Sequence, residues 1–190
     1  MGAITKEDIF HYVYAVLHDP VYREKYALKR EFPRIPFYPE FRQWAAWRKE
    51  LMELHIGYET VEHWRLERIE ADDPSPQPSP PRGEGAFRQT PKPMLKADKE
   101  NGRIVLDSRT TLAGIPPEAW DYKLGNRSAL EWILDQYKEK KPKDPTIREK
   151  FNTYRFADYK EKVIGLLAPV TTGSVRTQAL TQAMKFATRT

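Results

Sequence analysis

The side chains able to do chemistry are few and widely spaced. The histidines are His11, His18, His55 and His63. His11 and His18 can share a helix face, but seven residues at ~1.5 Å rise put them about 10 Å apart, too far to share a metal. His55 can reach Glu59 one turn on, and nothing nearby supplies a third ligand. The alternative for each histidine is a polar group packed at a helix edge. Glu139-Lys140-Lys141 has the Glu-x-Lys form used by metal-dependent nucleases, yet lacks a preceding Pro-Asp. Asp72-Asp73 falls in low-complexity sequence. Pro116-Pro117 lies between Ile115 and Glu118, which is not the Asn/Asp-Pro-Pro-aromatic loop that grips a flipped base. Phosphate loop, GxGxxG, HExxH, GxSxG and EF-hand patterns are all missing. These residues predict no catalytic site, no metal and no cofactor. The chain is expected to be a binding module rather than an enzyme.

Charge says what it can bind. The net charge is +5 over 190 residues. Residues 1–70 hold 11 Lys/Arg against 12 Asp/Glu, and residues 71–120 hold 7 of each. Residues 121–190 hold 14 against 8, so the basic excess is C-terminal. A one-sided excess is the crude signature of a polyanion partner; the alternative is a solvated helix face. Cysteine is absent, which excludes disulfides and fits a reducing cytoplasm, the expected location. No apolar run approaches the ~20 residues of a membrane span.

The elements that must position these groups centre on Gly102–Tyr137. Ile104 to Leu106 is strand-like, Asp107 to Thr111 turn-like, and Leu112 to Ile115 apolar again before Pro116-Pro117. Trp120 and Tyr122 alternate with Asp121 and Lys123, which predicts a strand. Gly125-Asn126 is a turn. Ala129 to Tyr137 reads as a helix with Leu130, Ile133, Leu134 and Tyr137 on one face. Upstream, Thr5 to Asp8 is a capping-box start; Ile9, Val13, Val16 and Leu17 fall on one face with Phe10, Tyr12 and Tyr14 around it, a breadth that predicts a helix buried on more than one side. Asp19-Pro20 opens a second helix over Val21 to Leu28. Phe32-Pro33-Arg34-Ile35-Pro36-Phe37 must be extended. Phe41 to Tyr58 carries a strong amphipathic period with Trp44 and Trp47, read as core rather than as a base-stacking platform. Glu62 to Glu70 alternates weakly and predicts a short strand or an extended exit. Asp144-Pro145 starts a helix with Ile147, Phe151 and Tyr154 on one face. Asp158 to Ala168 is a short helix stopped by Pro169, and Thr171 to Thr190 is at best a marginal one. The fold class is α+β: a helix-rich single domain over 1–190, with a small mixed or antiparallel sheet. A Pro/Ser-rich insert at about 72–90 interrupts it and reads as disordered.

Several blocks in fixed order carry a resemblance: IFHYVYAVLHDPVYREKYA, FPRIPF, FRQWAAWRKELMELH, and the long run from GRIVLDSRTTLAGIPPEAWDYKLGNRSALEWILDQY through KEKKPKDPTIREKFNTYRFADYKEKVIGLL. Over about residues 4–68 and 92–168 the chain is similar to the C-terminal specificity domain of Type ISP restriction–modification enzymes. The resemblance implies a bacterial defence polypeptide with nuclease, ATP-driven translocase, adenine methyltransferase and target-recognition parts, of which this chain matches only the last. It departs from the family in its insert and in a shorter stretch near Ala27-Leu28-Lys29. The implied partner is double-stranded DNA. Lys123, Asn126 and Arg127 at the turn are candidate contacts, with Asn and Arg suited to bidentate pairing with adenine and guanine. Asn126 also suits a helix N-cap or a turn, and Arg127 a surface position in the first turn. Lys138, Lys140, Lys141 and Lys143 are candidate phosphate contacts, followed by Arg148, Asn152 and Arg155. The alternative is a protein-interaction module that docks on the methyltransferase or translocase domains of the parent enzyme.

Overall fold

A computed structural model of the chain describes residues 3–26, 34–71, 90–140, 144–147 and 154–189. The insert, apart from Thr90, lies outside the described residues, as do Leu28, Phe32, Pro33 and Phe151. Three helices come first: α1 (Lys6–His18), α2 (Pro20–Tyr26) and α3 (Phe41–Ile56). Four strands follow, β1 (Glu67–Glu70), β2 (Pro93–Asp98), β3 (Arg103–Asp107) and β4 (Thr110–Ala113). Next come α4 (Pro117–Asp121), the ribbon β5 (Lys123–Leu124) and β6 (Arg127–Ser128), α5 (Ala129–Gln136) and the long α6 (Lys160–Lys185). The class is α+β, and the sheet is antiparallel in the order β1-β4-β3-β2.

The sheet forms because its turns are chemically specified. Asp107 Oδ1 accepts the Arg109 and Thr110 N–H groups, each at 2.8 Å, which folds β3 onto β4. Gly102 closes the β2–β3 turn at φ +60°; a Cβ there would lie 2.5 Å from the Ile115 carbonyl oxygen, so no other residue fits. β2 was not anticipated, because Pro93 and Lys96 interrupt its apolar run. A bulge between Pro93 and Lys96, with Leu95 at φ 43°, restores its use by seating Leu95 in the core.

Two apolar clusters result. One joins the sheet to α4, α5 and the start of α6 through Ile104, Leu106, Leu112, Leu130, Val163 and Leu167. The other joins α1, α2 and α3 through Tyr12, Val16, Tyr22, Trp44 and Leu51, and takes Met184 from the far end of α6. Trp44 and Trp47 pack edge-on at 5.2 Å with Trp44 1% exposed, as core residues do. Thr5 and Asp8 form the expected capping box. Residues 34–38 run extended over this cluster, held where Tyr12 Oη donates to the Pro36 carbonyl and accepts from the Tyr38 N–H, both at 2.6 Å.

Three expectations are corrected. Trp120 lies in a helix, not a strand: Pro116-Pro117 presets helical φ at the first turn, and Ala119 and Trp120 face the core. The buried face of α1 is Tyr12, Ala15 and Val16, whereas Ile9 and Leu17 are 52% and 43% exposed. Finally, Pro169 does not end a helix. It sits inside α6, and Gly165, whose carbonyl loses its helical donor, is exposed. Propensity loses there because α6 is packed at both ends and its middle polar groups satisfy themselves. Thr171 and Ser174 donate to the Leu167 and Val170 carbonyls at 2.7 Å.

Candidate nucleic-acid interface

The ribbon between α4 and α5 presents the predicted turn. Gly125 at φ +74° occupies the first central position and Asn126 the second, the pattern of a type II′ hairpin. Trp132 Nε1 donates to the Leu124 carbonyl at 2.9 Å, which pins the ribbon to α5. α5 is itself fixed by a capping box: Ser128 Oγ accepts the Glu131 N–H at 3.2 Å, and Glu131 Oε2 accepts the Ser128 N–H at 2.8 Å. Burial alone would raise the Glu131 carboxyl, but its contacts with Lys99 and Ser128 hold it below the usual carboxylate range. The ribbon is therefore a preorganised projection rather than a loose loop.

The structure divides the turn residues. Ser128, not Asn126, caps α5, so Asn126 stands exposed at the ribbon tip. Arg127 turns toward α5, 3.3 Å from Asp135 and 5.5 Å above the Trp132 ring. With Lys138 and Lys96 it lines a shallow cavity of about 400 Å³ between β2 and α5. Lys123 faces the opposite way, into a cleft of about 310 Å³ between the ribbon, α2 and α6. Arg23 and Lys185 share that cleft; neither they nor Lys123 has an ion-pair partner among the described residues. Sequence reasoning missed both residues. Arg23 belongs to an acidic-leaning stretch, and Lys185 to a segment whose threonines and glycine argued against a helix. Lys140 is exposed, and Arg155 is exposed and donates to the Tyr154 carbonyl at 3.0 Å. Lys141, Lys143, Arg148 and Asn152 lie outside the described residues.

The residues with catalytic spelling have structural work. Glu139 Oε1 accepts the Phe156 N–H at 2.8 Å and so anchors the short turn that leads into α6. His55 lies among Tyr14 Oη at 3.0 Å, Thr177 Oγ1 at 3.1 Å and Tyr122 Oη at 3.3 Å, with the His18 ring 5.7 Å away. Burial pushes both imidazoles below their usual pKa. Among the described residues no group of three or more metal-ligating side chains converges. No described helix is long and apolar enough to cross a membrane.

Known structures resemble this architecture closely. The DrdV–DNA complex, solved by cryo-EM, matches with TM-score 0.82 and 59% identity over 94% of this chain. A nuclease-deletion mutant of the Type ISP restriction–modification enzyme LlaGI, in complex with a DNA substrate mimic, matches with TM-score 0.65 and 29% identity over 96%. The ATP-dependent Type ISP enzyme LlaBIII bound to DNA shares the fold, with TM-score 0.69 at 24% identity over 98%. The chain spans 18%, 14% and 12% of those three chains respectively. Among curated proteins, none matches. The model of the Type ISP C-terminal specificity domain matches residues 1–166, and the chain belongs to that family.

Proposed function

We propose that this chain recognises a sequence in double-stranded DNA, as the target-recognition part of a restriction–modification enzyme. The observation that carries the reading is the rigid β5–β6 ribbon, with Asn126 at its tip and Lys123, Arg23 and Lys185 beside it, none with an ion-pair partner among the described residues. A two-stranded ribbon fits the major groove, where base edges are distinguishable, while flanking cations neutralise phosphates and fix register. The solved relatives DrdV and LlaGI, both in complexes with DNA or its mimic, support the same reading. Lys138 and Lys140 extend the basic surface beyond α5, with Lys141, Lys143, Arg148, Asn152 and Arg155 as further candidates. Methyltransferase and translocase domains are the expected partners in the parent enzyme.

Gel-shift titration of random and genomic duplexes at two salt concentrations tests this. Affinity is expected to fall steeply with salt, with a log–log slope near −0.9 per phosphate contacted. Lys140→Glu with Lys141→Glu should weaken all duplexes evenly, whereas Asn126→Ala should change sequence preference. No binding at low salt would overturn the reading. A second reading, docking on a methyltransferase or translocase domain, is favoured by the outer side of α1. Ile9 and Phe10 are 52% and 57% exposed there, and Ile56 of α3 is 71% exposed. Salt-insensitive association with such a domain would support it.

A further inference from the structure

One wall of the Lys123 cleft is a helical stripe, part-exposed at Gln178 and exposed at Gln182 and Lys185, that the charge argument leaves unused. Gln178, Gln182 and Lys185 lie on α6 at spacings of four and three, so they share one face. Gln182 is exposed and has no hydrogen-bond partner among the described residues. The Gln178 side-chain oxygen receives only a long contact, 3.4 Å, from Thr181 Oγ1. Each amide therefore retains a donor and an acceptor. Four residues along a helix advance about 6 Å at ~1.5 Å per residue, close to two base-pair steps of about 3.4 Å each.

We propose that Gln178 and Gln182 read adenines on base pairs two steps apart, with Lys185, Lys123 and Arg23 on the flanking phosphates; this rests on the duplex-recognition reading above. An amide offers an acceptor to the adenine N6 amino group and a donor to N7, a bidentate match. Asp121, the one acidic group lining the cleft among the described residues, repels phosphate and places the backbone on the cationic rims. α6 is a firm platform for such reading. Its apolar residues are clamped in both clusters, and Thr177, one residue from Gln178, contacts His55 at 3.1 Å.

The test is selection from a pool of randomised duplexes by the full chain, wild type beside Gln178→Ala, Gln182→Ala and Gln182→Glu, each checked for an unchanged unfolding midpoint. The wild type should enrich a motif containing adenines. Each Ala variant should lose preference at one position, roughly tenfold, the scale of one bidentate pair. Affinity for unrelated duplex should be unchanged. Gln182→Glu should move that position toward cytosine, whose amino group a carboxylate accepts. A purely structural role would not redirect preference. Variants that bind and return the wild-type motif overturn the inference alone. A wild type that binds without enriching any motif overturns both the inference and the sequence-recognition reading, leaving only duplex binding. A wild type that binds no duplex at all sinks the recognition reading and the inference with it.

Discussion

Two sets of basic residues do opposite work in this molecule. Arg189 and Lys160 are turned inward. Arg189 contacts Asp19, itself 0% exposed, with Nη2 to Oδ1 at 2.6 Å and Nε to Oδ2 at 3.0 Å, and lies over the Tyr38 and Trp44 rings. Lys160 reaches Asp107, 4% exposed, at 2.8 Å and also donates to Thr110. Lys123, Arg23 and Lys185 are exposed and have no ion-pair partner among the described residues. All but Arg23 belong to the C-terminal stretch that holds the basic excess, so the sequence total mixes charges that build the fold with charges free for a ligand. Substitutions in the first set should cost stability, and those in the second should cost affinity.

The largest effect is expected at Arg189. Removing it leaves a fully buried carboxylate without its counter-ion, which costs about 3–5 kcal/mol. Arg189→Ala should lower the urea midpoint accordingly, while Asp19→Asn with Arg189→Met should recover much of the loss. A change below about 1 kcal/mol would mean that the clasp is not energetically coupled to the fold. Tyr38 belongs to the same clasp: burial and the neighbouring Asp19 push its hydroxyl up to about 12, so it stays a donor to Asp19 at any physiological pH.

Lys160 comes next. Burial alone would raise the Asp107 carboxyl, but the Lys160 contact and two backbone N–H groups outweigh it, and the net shift is downward. A depressed folded value means that the unfolded chain binds this proton first as pH falls. The stability from Asp107 is complete above its unfolded value, about 3.9, and is lost as pH drops through the lower folded value. Lys160→Met should cost about 2 kcal/mol at neutral pH, the scale of a hydrogen bond to a charged group. It should also move the acid limb of the stability curve upward, since burial then acts with less opposition. Denaturation midpoints measured between about pH 3 and 7 check both. An acid limb identical to wild type would show that the backbone N–H groups alone hold Asp107.

These inward pairs also mark where sequence reading stops. The β3–β4 unit, α5 and the opening of α1 were legible because each is specified locally, by Asp107, Ser128 with Glu131, and Thr5 with Asp8. α6 was not. Its stability comes from contacts far away in sequence, including Met184 in the N-terminal cluster and Thr172 Oγ1 bonding the Glu62 carbonyl at 2.7 Å. Local propensity sees only Pro169, Gly173 and the threonines. The candidate site suffered likewise: the ribbon residues were visible as a turn, but the cleft wall with Lys185 exists only once α6 continues past Pro169. The asymmetry between Lys123 and Arg127, four residues apart yet facing opposite cavities, required the ribbon's pairing.

Arg127 falls between the two sets, which makes it the sharpest small test of the comparison. Its contact with Asp135 is solvent-exposed on both sides, so the pair contributes ~0–1 kcal/mol to stability, and its stacking on Trp132 a similar amount. Asp135 nonetheless competes with any phosphate or base edge for the same guanidinium. Asp135→Asn removes that competitor while leaving Trp132 to orient the arginine. If Arg127 serves the duplex, this variant should bind roughly threefold more tightly at low salt, the scale of one exposed ion pair, with unchanged unfolding. The gain should vanish in the Asp135→Asn, Arg127→Ala double variant. Unchanged affinity in Asp135→Asn, alongside a clear loss in Lys123→Ala, would place Arg127 with the inward set and confine duplex contact to the Lys123 side of the ribbon.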